Sequence, residues 1–427
     1  MSDSSVSEAV ARPSRRRRHW VIGLGVLLVA SALAGAGTYR YLMPLPTPTV
    51  QVSVATTLTI GAPPLAIPLP AQGSFALRDS ASGVVAGLAP STVRPIASIT
   101  KTMTALAVLA ARPLAPGAAG PSFTVSAADV ALLQQVIADD GSHVNVNLGE
   151  QLTERQLLLG MMLPSANNFA LMLARWIDGS DAAFVDRMNQ TAARWGMTAT
   201  HFADPDGLSA NTVSNASDLL LLGSHALLDP TLLEVMGNAQ ATLPDGTTIH
   251  NLDPLVATVP GWLGIKTGHT NAGGYCLLFA VRRSVTSDTP ALTMIGAVLG
   301  QGQRSDTFQA AQQAVDADVA DYVALQLDNV TPQLSGKLQS AWGASAALRI
   351  DSAQVAPILV QRGTHVHLDF VAAPVARFGA ASNVGMVRAL LDTRNDNGQA
   401  TQLYVGAWPV VTAADLAGPP WWWRLRR

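Results

Sequence analysis

The hydrophobic pattern begins with one long uncharged run, residues 20–37, which follows four consecutive arginines at 15–18 and His19. A helix needs roughly 20 mainly apolar residues to cross a bilayer. Residues 20–42 are therefore predicted to form a transmembrane signal anchor or a cleavable signal peptide. Residues 1–19, which precede them, are predicted to be a basic cytoplasmic segment. Because positive charge accumulates on the cytoplasmic side of such helices, the rest of the chain is predicted to lie outside the membrane.

Five strand-length apolar runs in the body of the chain predict a sheet. They lie at residues 74–77, 83–88, 263–267, 275–281 and 292–298. The last three follow one another through short links, which favours antiparallel pairing. One amphipathic helix is then predicted from Ser305 to about Leu327.

The stretch between the second and third of these strands has mostly helical spacing. Ser126 with Asp129, and Thr153 with Gln156, are spaced as capping boxes that open helices. The predicted fold class is therefore α/β (α+β), with about five antiparallel strands, flanking helices and an inserted helical subdomain. This domain is assigned to residues 71–328.

Two further parts of the chain have other patterns. Residues 43–70 are rich in Pro and Thr and predict an extended linker. Residues 329–418 predict a small β domain, with an Asn-Asp-Asn-Gly hairpin turn at 395–398. Its strand candidates are residues 358–360, 366–371, 385–391 and 402–405.

Residues 419–427, PPWWWRLRR, place three tryptophans beside three arginines. This mixture is typical of a bilayer interface that faces anionic lipid. Two alternatives stay open, namely a disordered end and a tryptophan patch that packs on the body.

Composition narrows the functions that the chain can have. The 427 residues are 48% hydrophobic with a net charge of −2, which fits a globular protein and offers no basic field for nucleic acid. His365 and His367 share a strand face, but no carboxylate or cysteine ligand set accompanies them. Cys276 fits a small buried apolar residue. No metal, no cofactor and no nucleic-acid partner is predicted.

The candidate chemistry starts at Ser98-Ile99-Thr100-Lys101. Residues three apart on a helix share a face, so the Ser98 hydroxyl and the Lys101 amine fall within hydrogen-bond reach. A desolvated amine can accept the serine proton and make the hydroxyl a nucleophile. Only three of the 27 basic residues are lysines, at 101, 266 and 337, so lysine is used at few positions.

Two more motifs follow along the chain. Ser165-Ala166-Asn167 lies at a predicted helix–loop–helix junction, where a hydroxyl can relay a proton and an amide can orient Lys101. Lys266-Thr267-Gly268 ends a predicted strand, where a lysine and a hydroxyl can hold a carboxylate and glycine admits close backbone approach. Each motif alone is weak, but their order and placement together are specific.

This set of motifs resembles that of the penicillin-recognising serine acyltransferases, which carry Ser-x-x-Lys, Ser-x-Asn and Lys-Thr-Gly. Within that group the chain most resembles the serine-type D-Ala-D-Ala carboxypeptidases, the low-molecular-mass penicillin-binding proteins. The resemblance covers about residues 72–325. Its supporting stretches are RPIASITKTMTAL (94–106), LPSANNFALMLA (163–174), FVDRMNQTAARWGMTATHFADPDGL (184–208) and GIKTGHTNAGGYCLLFAVRR (264–283).

The resemblance implies catalytic roles for three residues. Ser98 attacks the carbonyl between the two D-alanines of a peptidoglycan stem peptide, and Lys101 accepts the serine proton. Ser165 passes a proton to the departing D-alanine. Water then hydrolyses the acyl-enzyme.

The resemblance also implies substrate-binding roles. Asn167 positions the peptide, while Lys266 and Thr267, followed by Gly268, bind its terminal carboxylate. The backbone N–H groups of Ser98 and His269 form the oxyanion hole.

The same resemblance implies partners and a location. The partners are stem peptides ending in D-Ala-D-Ala, β-lactam antibiotics and cytoplasmic membrane lipid. The location is a bacterial cell membrane, with the N-terminus cytoplasmic and the catalytic domain periplasmic or otherwise extracytoplasmic.

Two alternative functions stay open, a non-catalytic penicillin-binding cell-wall scaffold and a β-lactamase. A β-lactamase needs a carboxylate that drives deacylation, and residues 167–177 contain none. The second motif departs from the common family pattern at Ala166 and Asn168, where glycine and aspartate usually stand. Residues 138–147 also differ from the family, so substrate choice or rate is expected to differ.

Overall fold

A computed structural model describes the chain as two compact units. The described residues are 15–55, 57–61, 63–325, 334–351, 357–375, 379–394 and 400–427. The predicted hairpin turn at 395–398 and residues 1–14 of the predicted basic segment lie outside them. We call residues 60–325 with 357–364 the α/β unit, and the described parts of 1–59, 326–356 and 365–427 the β unit.

The helices and strands are numbered in chain order. The helices are α1 (Arg15–Leu42), α2 (Thr100–Ala111), α3 (Ala127–Ala138), α4 (Glu154–Met162), α5 (Asn167–Asp178), α6 (Asp181–Arg194), α7 (Ala216–Leu228), α8 (Pro230–Met236), α9 (Leu255–Thr258), α10 (Arg304–Asp321) and α11 (Trp421–Arg426). The strands are β1 (Thr49–Val54), β2 (Thr57–Thr59), β3 (Ser74–Asp79), β4 (Gly83–Leu88), β5 (Arg94–Pro95), β6 (Ser122–Thr124), β7 (Gln151–Thr153), β8 (Val213–Ser214), β9 (Gln240–Thr242), β10 (Thr248–His250), β11 (Trp262–Thr270), β12 (Gly274–Arg283), β13 (Leu292–Gln301), β14 (Tyr322–Leu325), β15 (Leu334–Gln339), β16 (Ser345–Ile350), β17 (Ile358–Gln361), β18 (His365–Ala372), β19 (Asn383–Arg394) and β20 (Ala400–Thr412).

The α/β unit is built on a five-stranded sheet in the order β11-β12-β13-β3-β4. Every pair in it is antiparallel, which confirms the predicted fold class. Alternate side chains serve opposite faces. Leu277 and Phe279 of β12 join the core formed with α10, whereas Cys276 and Leu278 join the core formed with the inserted helices. The sheet is therefore covered by helices on both faces.

Both predicted capping boxes open helices. The Ser126 hydroxyl accepts from the Asp129 N–H while the Asp129 carboxylate accepts from the Ser126 N–H, at the start of α3. Thr153 and Gln156 form the same reciprocal pair at the start of α4. Each such cap stabilises its helix by roughly 0.5–2 kcal/mol.

The helix predicted to reach about Leu327 ends earlier, at Asp321. Residues Tyr322–Leu325 form β14, which pairs in antiparallel fashion with Ile358–Gln361. The Tyr322 hydroxyl donates to Asp79 Oδ2 at 2.6 Å and so fixes the start of β14. This pairing places the predicted strand at 358–360 in the α/β unit and not in the small β domain.

The β unit contains a seven-stranded antiparallel sheet in the order β1-β15-β16-β20-β19-β18-β2. Residues 43–70 are therefore not an extended linker throughout, because Thr49–Val54 and Thr57–Thr59 form its two edge strands. In β1 the half-buried positions alternate with exposed ones, and three of them are valines. This alternation of β-branched residues favours a strand despite the surrounding prolines.

The two histidines of β18 lie beside threonines of the edge strand. The Nδ1 atoms of His365 and His367 lie 3.0 Å and 3.2 Å from the hydroxyls of Thr59 and Thr57. Within the described ranges, no group of three or more His, Cys, Asp or Glu side chains could hold a metal ion.

Candidate active site

Ser98 lies in a one-turn 3-10 helix, Ala97–Ile99, that leads directly into α2. Ala97 has φ of +48° and is buried. For a residue with a Cβ, a positive φ costs on the order of 1 kcal/mol, so the surrounding packing must stabilise this backbone conformation. The sharp turn leaves Ser98 half-buried while Ile99 and Lys101 beside it are buried.

The Lys101 ammonium is fully buried and donates to three oxygens. Its Nζ lies 2.8 Å from Ser98 Oγ, 2.8 Å from Asn167 Oδ1 and 2.7 Å from the backbone oxygen of Asp206. Burial lowers the pKa of Lys101 to about 8, against the opposing charges of Asp206 and Asp204. An amine with this pKa is partly neutral near pH 7 and can accept a proton from Ser98.

The turn at residues 204–207 forms one wall of this arrangement. Gly207 has φ of +81°, and a Cβ there would lie 2.0 Å from the carbonyl oxygen of Ala97. Burial raises the pKa of the Asp206 carboxyl to about 7, while the Lys101 charge lowers it. The fold brings the Asp206 backbone oxygen of this turn to Lys101, about a hundred residues away in the sequence.

The second motif contributes two buried groups at the start of α5. Ser165 has φ of +68°, and its buried Oγ has no hydrogen-bond partner among the described residues. Asn167 is buried, and its N–H donates to Ser142 O at 2.7 Å while its Oδ1 accepts from Lys101. A buried hydroxyl without a partner is unusual and leaves a hydrogen-bonding group for a bound substrate to satisfy.

The loop at residues 138–147 is tied to the second motif. Asn168, which is fully buried, bonds both backbone groups of Val144, donating to its oxygen at 2.8 Å and accepting from its N–H at 3.2 Å. Gly141 approaches Asn167 so closely that a Cβ there would lie 3.0 Å from Asn167 Nδ2. The amide of Asn168 thus uses both its donor and its acceptor to hold the loop.

Lys266 and Thr267 lie on β11, at the opposite side of the site from the second motif. Lys266 is buried and donates to Thr267 O at 3.0 Å. Burial holds the pKa of Lys266 well below its usual value, the Lys101 charge lowers it further and Asp253 opposes both. A bound carboxylate would favour the ammonium form of Lys266.

Gly268 lets β11 pass directly beside the nucleophile. A Cβ at this position would lie 3.0 Å from Ile96 O and 3.1 Å from Ser98 N. The backbone N–H groups of Ser98 and of the following β11 residue, His269, therefore belong to adjacent stretches of chain. The His269 ring itself stacks on Tyr275, with ring centroids 4.1 Å apart.

One cavity of about 230 Å³ opens at Ser98. Its lining residues are Ser98, Asp140, Ser142, Ser165, Leu252, Thr267, Gly268, His269, Tyr275, Cys276, Arg304, Thr307 and Phe308. Five of the eight residues that the sequence predicted for the site line this cavity. The other three, Lys101, Asn167 and Lys266, are buried and are not among its lining residues. Cys276 is buried, as predicted, and burial raises the pKa of its thiol to about 11.

Sequence reasoning nominated none of the five other polar residues of this cavity, which are Asp140, Ser142, Tyr275, Arg304 and Thr307. Arg304 is the first residue of α10, and its Nη2 donates to Leu252 O. No local motif marks it, since its position depends on how α10 follows β13. A guanidinium in the same cavity as Thr267 adds a second cation suited to a carboxylate.

A family model described as D-alanyl-D-alanine carboxypeptidase matches residues 67–300. The D-alanyl-D-alanine carboxypeptidase of Streptomyces sp. strain K15 is 32% identical over 261 residues, which cover 56% of this chain and 86% of that protein. The D-alanyl-D-alanine carboxypeptidase DacB2 of Mycobacterium tuberculosis is 34% identical over 221 residues, covering 50% and 71%.

Other similar proteins have different activities in their names. The D-alanyl-D-alanine endopeptidase of Escherichia coli is 32% identical over 243 residues, which cover 54% of this chain and 73% of that protein. The crystal structure of the Streptomyces K15 DD-transpeptidase superposes with a TM-score of 0.54 at 27% identity, over 60% of this chain and all of that one. The residues that the family model matches, 67–300, all lie in the α/β unit.

Proposed function

The chain belongs to the D-alanyl-D-alanine carboxypeptidase family and is a serine peptidase, and we propose that Ser98 is its nucleophile and Lys101 its general base. One observation carries this proposal, the position of the buried Lys101 Nζ between Ser98 Oγ and Asn167 Oδ1, 2.8 Å from each. A lysine whose pKa is lowered to about 8 has both the reach and the proton affinity that the step requires.

In acylation, Ser98 Oγ bonds to the carbonyl carbon of the penultimate D-alanine and its proton moves to Lys101 Nζ. The C–N bond then breaks, and the departing D-alanine nitrogen receives a proton through the Ser165 hydroxyl. Two observations support this relay, namely that Ser165 lines the cavity and that its Oγ has no hydrogen-bond partner among the described residues. In deacylation, water adds to the ester carbon and its proton passes to Lys101. The ester C–O bond to Ser98 then breaks, and Lys101 returns the proton to Ser98 Oγ.

The site has groups that suit both negative charges of the reacting substrate, the developing oxyanion and the terminal carboxylate. The developing oxyanion would accept from the N–H groups of Ser98 and His269, which the close approach at Gly268 supports. The terminal carboxylate would bind to Thr267 and Arg304 in the cavity, and the buried Lys266 would add a positive charge that attracts it. Asn167 would position the peptide.

The family acts on peptidoglycan ending in D-Ala-D-Ala and binds β-lactams, so the chain is an extracytoplasmic cell-wall enzyme. We also propose an orientation of this chain in the membrane. Residues 18–42 of α1 are long and apolar enough to cross a membrane and are exposed. Arginines 15–17 precede this span and Arg18 begins it, which supports a cytoplasmic N-terminus, contact of α1 with membrane lipid and an extracytoplasmic α/β unit.

The release of D-alanine from a stem pentapeptide tests the proposal. Wild type should release one D-alanine per peptide and be labelled covalently by a fluorescent penicillin, and Ser98→Ala should do neither. Labelling without D-alanine release would favour the scaffold, whereas rapid turnover of nitrocefin would favour the β-lactamase. Equal labelling of Ser98→Ala and wild type would refute the nucleophile assignment.

A further inference from the structure

The Trp/Arg segment, which we define as residues 419–427, folds back onto the Leu42 end of α1. Its helix α11 packs against α1. Arg424 Nη1 donates to Tyr41 O at 3.0 Å, and Arg40 Nη1 of α1 donates in return to Leu425 O at 3.2 Å. The segment is therefore joined to this end of α1 by guanidinium–carbonyl bonds in both directions.

Arg427 extends this contact beyond the end of the helix. Its Nη2 donates to Met43 O at 2.6 Å and to Pro44 O at 2.8 Å. Its buried Nε has no hydrogen-bond partner among the described residues. Each guanidinium has five N–H donors, so these contacts leave donors on both Arg40 and Arg427 for a further acceptor.

The length of α1 fixes the depth at which this cluster lies. A rise of 1.5 Å per residue places Tyr39 roughly 30 Å from Trp20 along the helix axis, about the thickness of the hydrocarbon core. Tryptophan and tyrosine prefer the membrane–water interface, so these two residues mark its two boundaries. Arg40 and the Trp/Arg segment then lie at the level of the lipid headgroups.

The charged side chains at this level are all of one sign. Arg40, Arg424, Arg426 and Arg427 gather there, and the sequence has no acidic residue between 20 and 64 or between 416 and 427. Trp421 and Trp422 stay 69% and 46% exposed, so their rings are available to lipid. An anion is the complement that this cluster lacks.

A cavity of about 530 Å³ lies within the cluster. Its lining residues are Ala36, Tyr39, Arg40, Met43, Pro44 and Arg427. It therefore presents two guanidinium groups, which bind phosphate in a bidentate fork, beside the apolar surface of the helix end. A molecule with a phosphate next to hydrocarbon matches both surfaces.

We propose that this cavity binds the headgroup of an anionic phospholipid in the outer leaflet. The inference rests on the proposed function only in that α1 spans the membrane, and it is independent of the chemistry at Ser98. An anionic lipid is favoured over a zwitterionic one because the cluster has no acidic side chain that could pair with a headgroup cation.

Native mass spectrometry of the full chain, released from nanodiscs, measures the bound lipid. The probes are phosphatidylglycerol and phosphatidylcholine of the same chain length. We expect wild type to retain phosphatidylglycerol preferentially, and this preference to fall by about fivefold for each cavity arginine that is removed. The double variant, Arg40→Gln with Arg427→Gln, removes both arginines. If the double variant unfolds, Arg40→Gln alone serves as the test, because it keeps the Arg427 bonds to Met43 and Pro44.

Arg426→Gln is the matched control, because Arg426 belongs to the same segment, lies over the Trp422 ring and does not line the cavity. It should keep the preference. An equal loss in Arg426→Gln and Arg40→Gln, or equal retention of the two lipids by wild type, overturns the proposed site. Release of wild type from membranes by alkaline carbonate would instead overturn the membrane span, and penicillin labelling of each variant reports separately on the active site.

Discussion

Asn167 Oδ1 accepts a hydrogen bond from Lys101 Nζ at 2.8 Å, so the first residue of α5 fixes the amine that faces Ser98. With the Asp206 carbonyl and Ser98 Oγ, it provides one acceptor for each of the three ammonium protons. When the ammonium loses a proton, two donors keep their partners and the freed lone pair faces the serine. The neutral amine is thus held in the geometry that proton transfer requires.

Lys101→Arg should lose most of the rate of acylation, by about 10²–10⁴-fold, because a guanidinium stays protonated and cannot accept the serine proton. The measurement is the second-order rate of labelling by a fluorescent penicillin. The chain has one lysine outside the proposed site, the exposed Lys337 of β15, and Lys337→Arg is the matched control. Retained labelling in Lys101→Arg would rule out the general-base role.

The pH dependence of acylation should follow Lys101. Its pKa is lowered from 10.5 to about 8, so the neutral amine is about a tenth of the total at pH 7 and increases as pH rises. The acylation rate should therefore rise about tenfold per pH unit below 8 and level off above 9. Stopped-flow acylation between pH 6 and 10 measures this, and a rate that is flat or falls with pH would contradict it.

Lys266→Gln and Arg304→Gln should each weaken recognition of the substrate's terminal carboxylate. A hydrogen bond to a charged group contributes roughly 1.5–3 kcal/mol, so we expect a tenfold to hundredfold loss in kcat/KM. The control is a stem peptide whose terminal carboxylate is replaced by a carboxamide. If the two variants lose as much on the carboxamide as on the acid, these residues do not bind the carboxylate.

Gly268→Ala should slow acylation by about tenfold or more, since its Cβ would lie 3.0 Å from Ile96 O and 3.1 Å from Ser98 N and push β11 away from the nucleophile. Gly418→Ala is the control, because a Cβ there meets nothing within 4 Å. Acylation rate and melting temperature should be measured together. An unchanged rate in a folded Gly268→Ala variant would contradict the close approach.

Asn168→Asp should destabilise the protein, although aspartate is the common residue at this place in the family. An ionised aspartate cannot donate to Val144 O, and the change leaves a buried charge near an orphaned carbonyl. The expected loss is about 1–3 kcal/mol, read as a lower melting temperature. Asn211→Asp, at an exposed position, should leave the melting temperature unchanged.

Local signals in the sequence were sufficient to predict many helices and strands of the α/β unit. Ser126 with Asp129, and Thr153 with Gln156, announce their helices because a cap needs only neighbouring residues. The strand runs likewise showed the five-stranded sheet. Whether Ser98, Ser165 and Thr267 act as one catalytic group stays a prediction, but the fold does bring them to one cavity.

What the sequence did not predict depends on distant partners. Tyr322–Leu325 continues an apolar helical period and becomes a strand only because Ile358–Gln361 pairs with it. Thr49–Val54 was obscured by nearby prolines, and its partner strand lies far along the chain. Arg304 reaches the cavity through the packing of α10, which no nearby residue reveals.

The pairing of β14 with β17 determines which fragments of this chain can stand alone. A fragment that ends at residue 328 would keep Tyr322–Leu325 and discard Ile358–Gln361, leaving the backbone groups of β14 without partners. A fragment that begins at residue 71 would also lose the bond from the Leu65 N–H to Asp321. An unpaired edge strand invites aggregation, so a fragment that keeps the α/β unit intact needs residues 357–364 as well as 60–325.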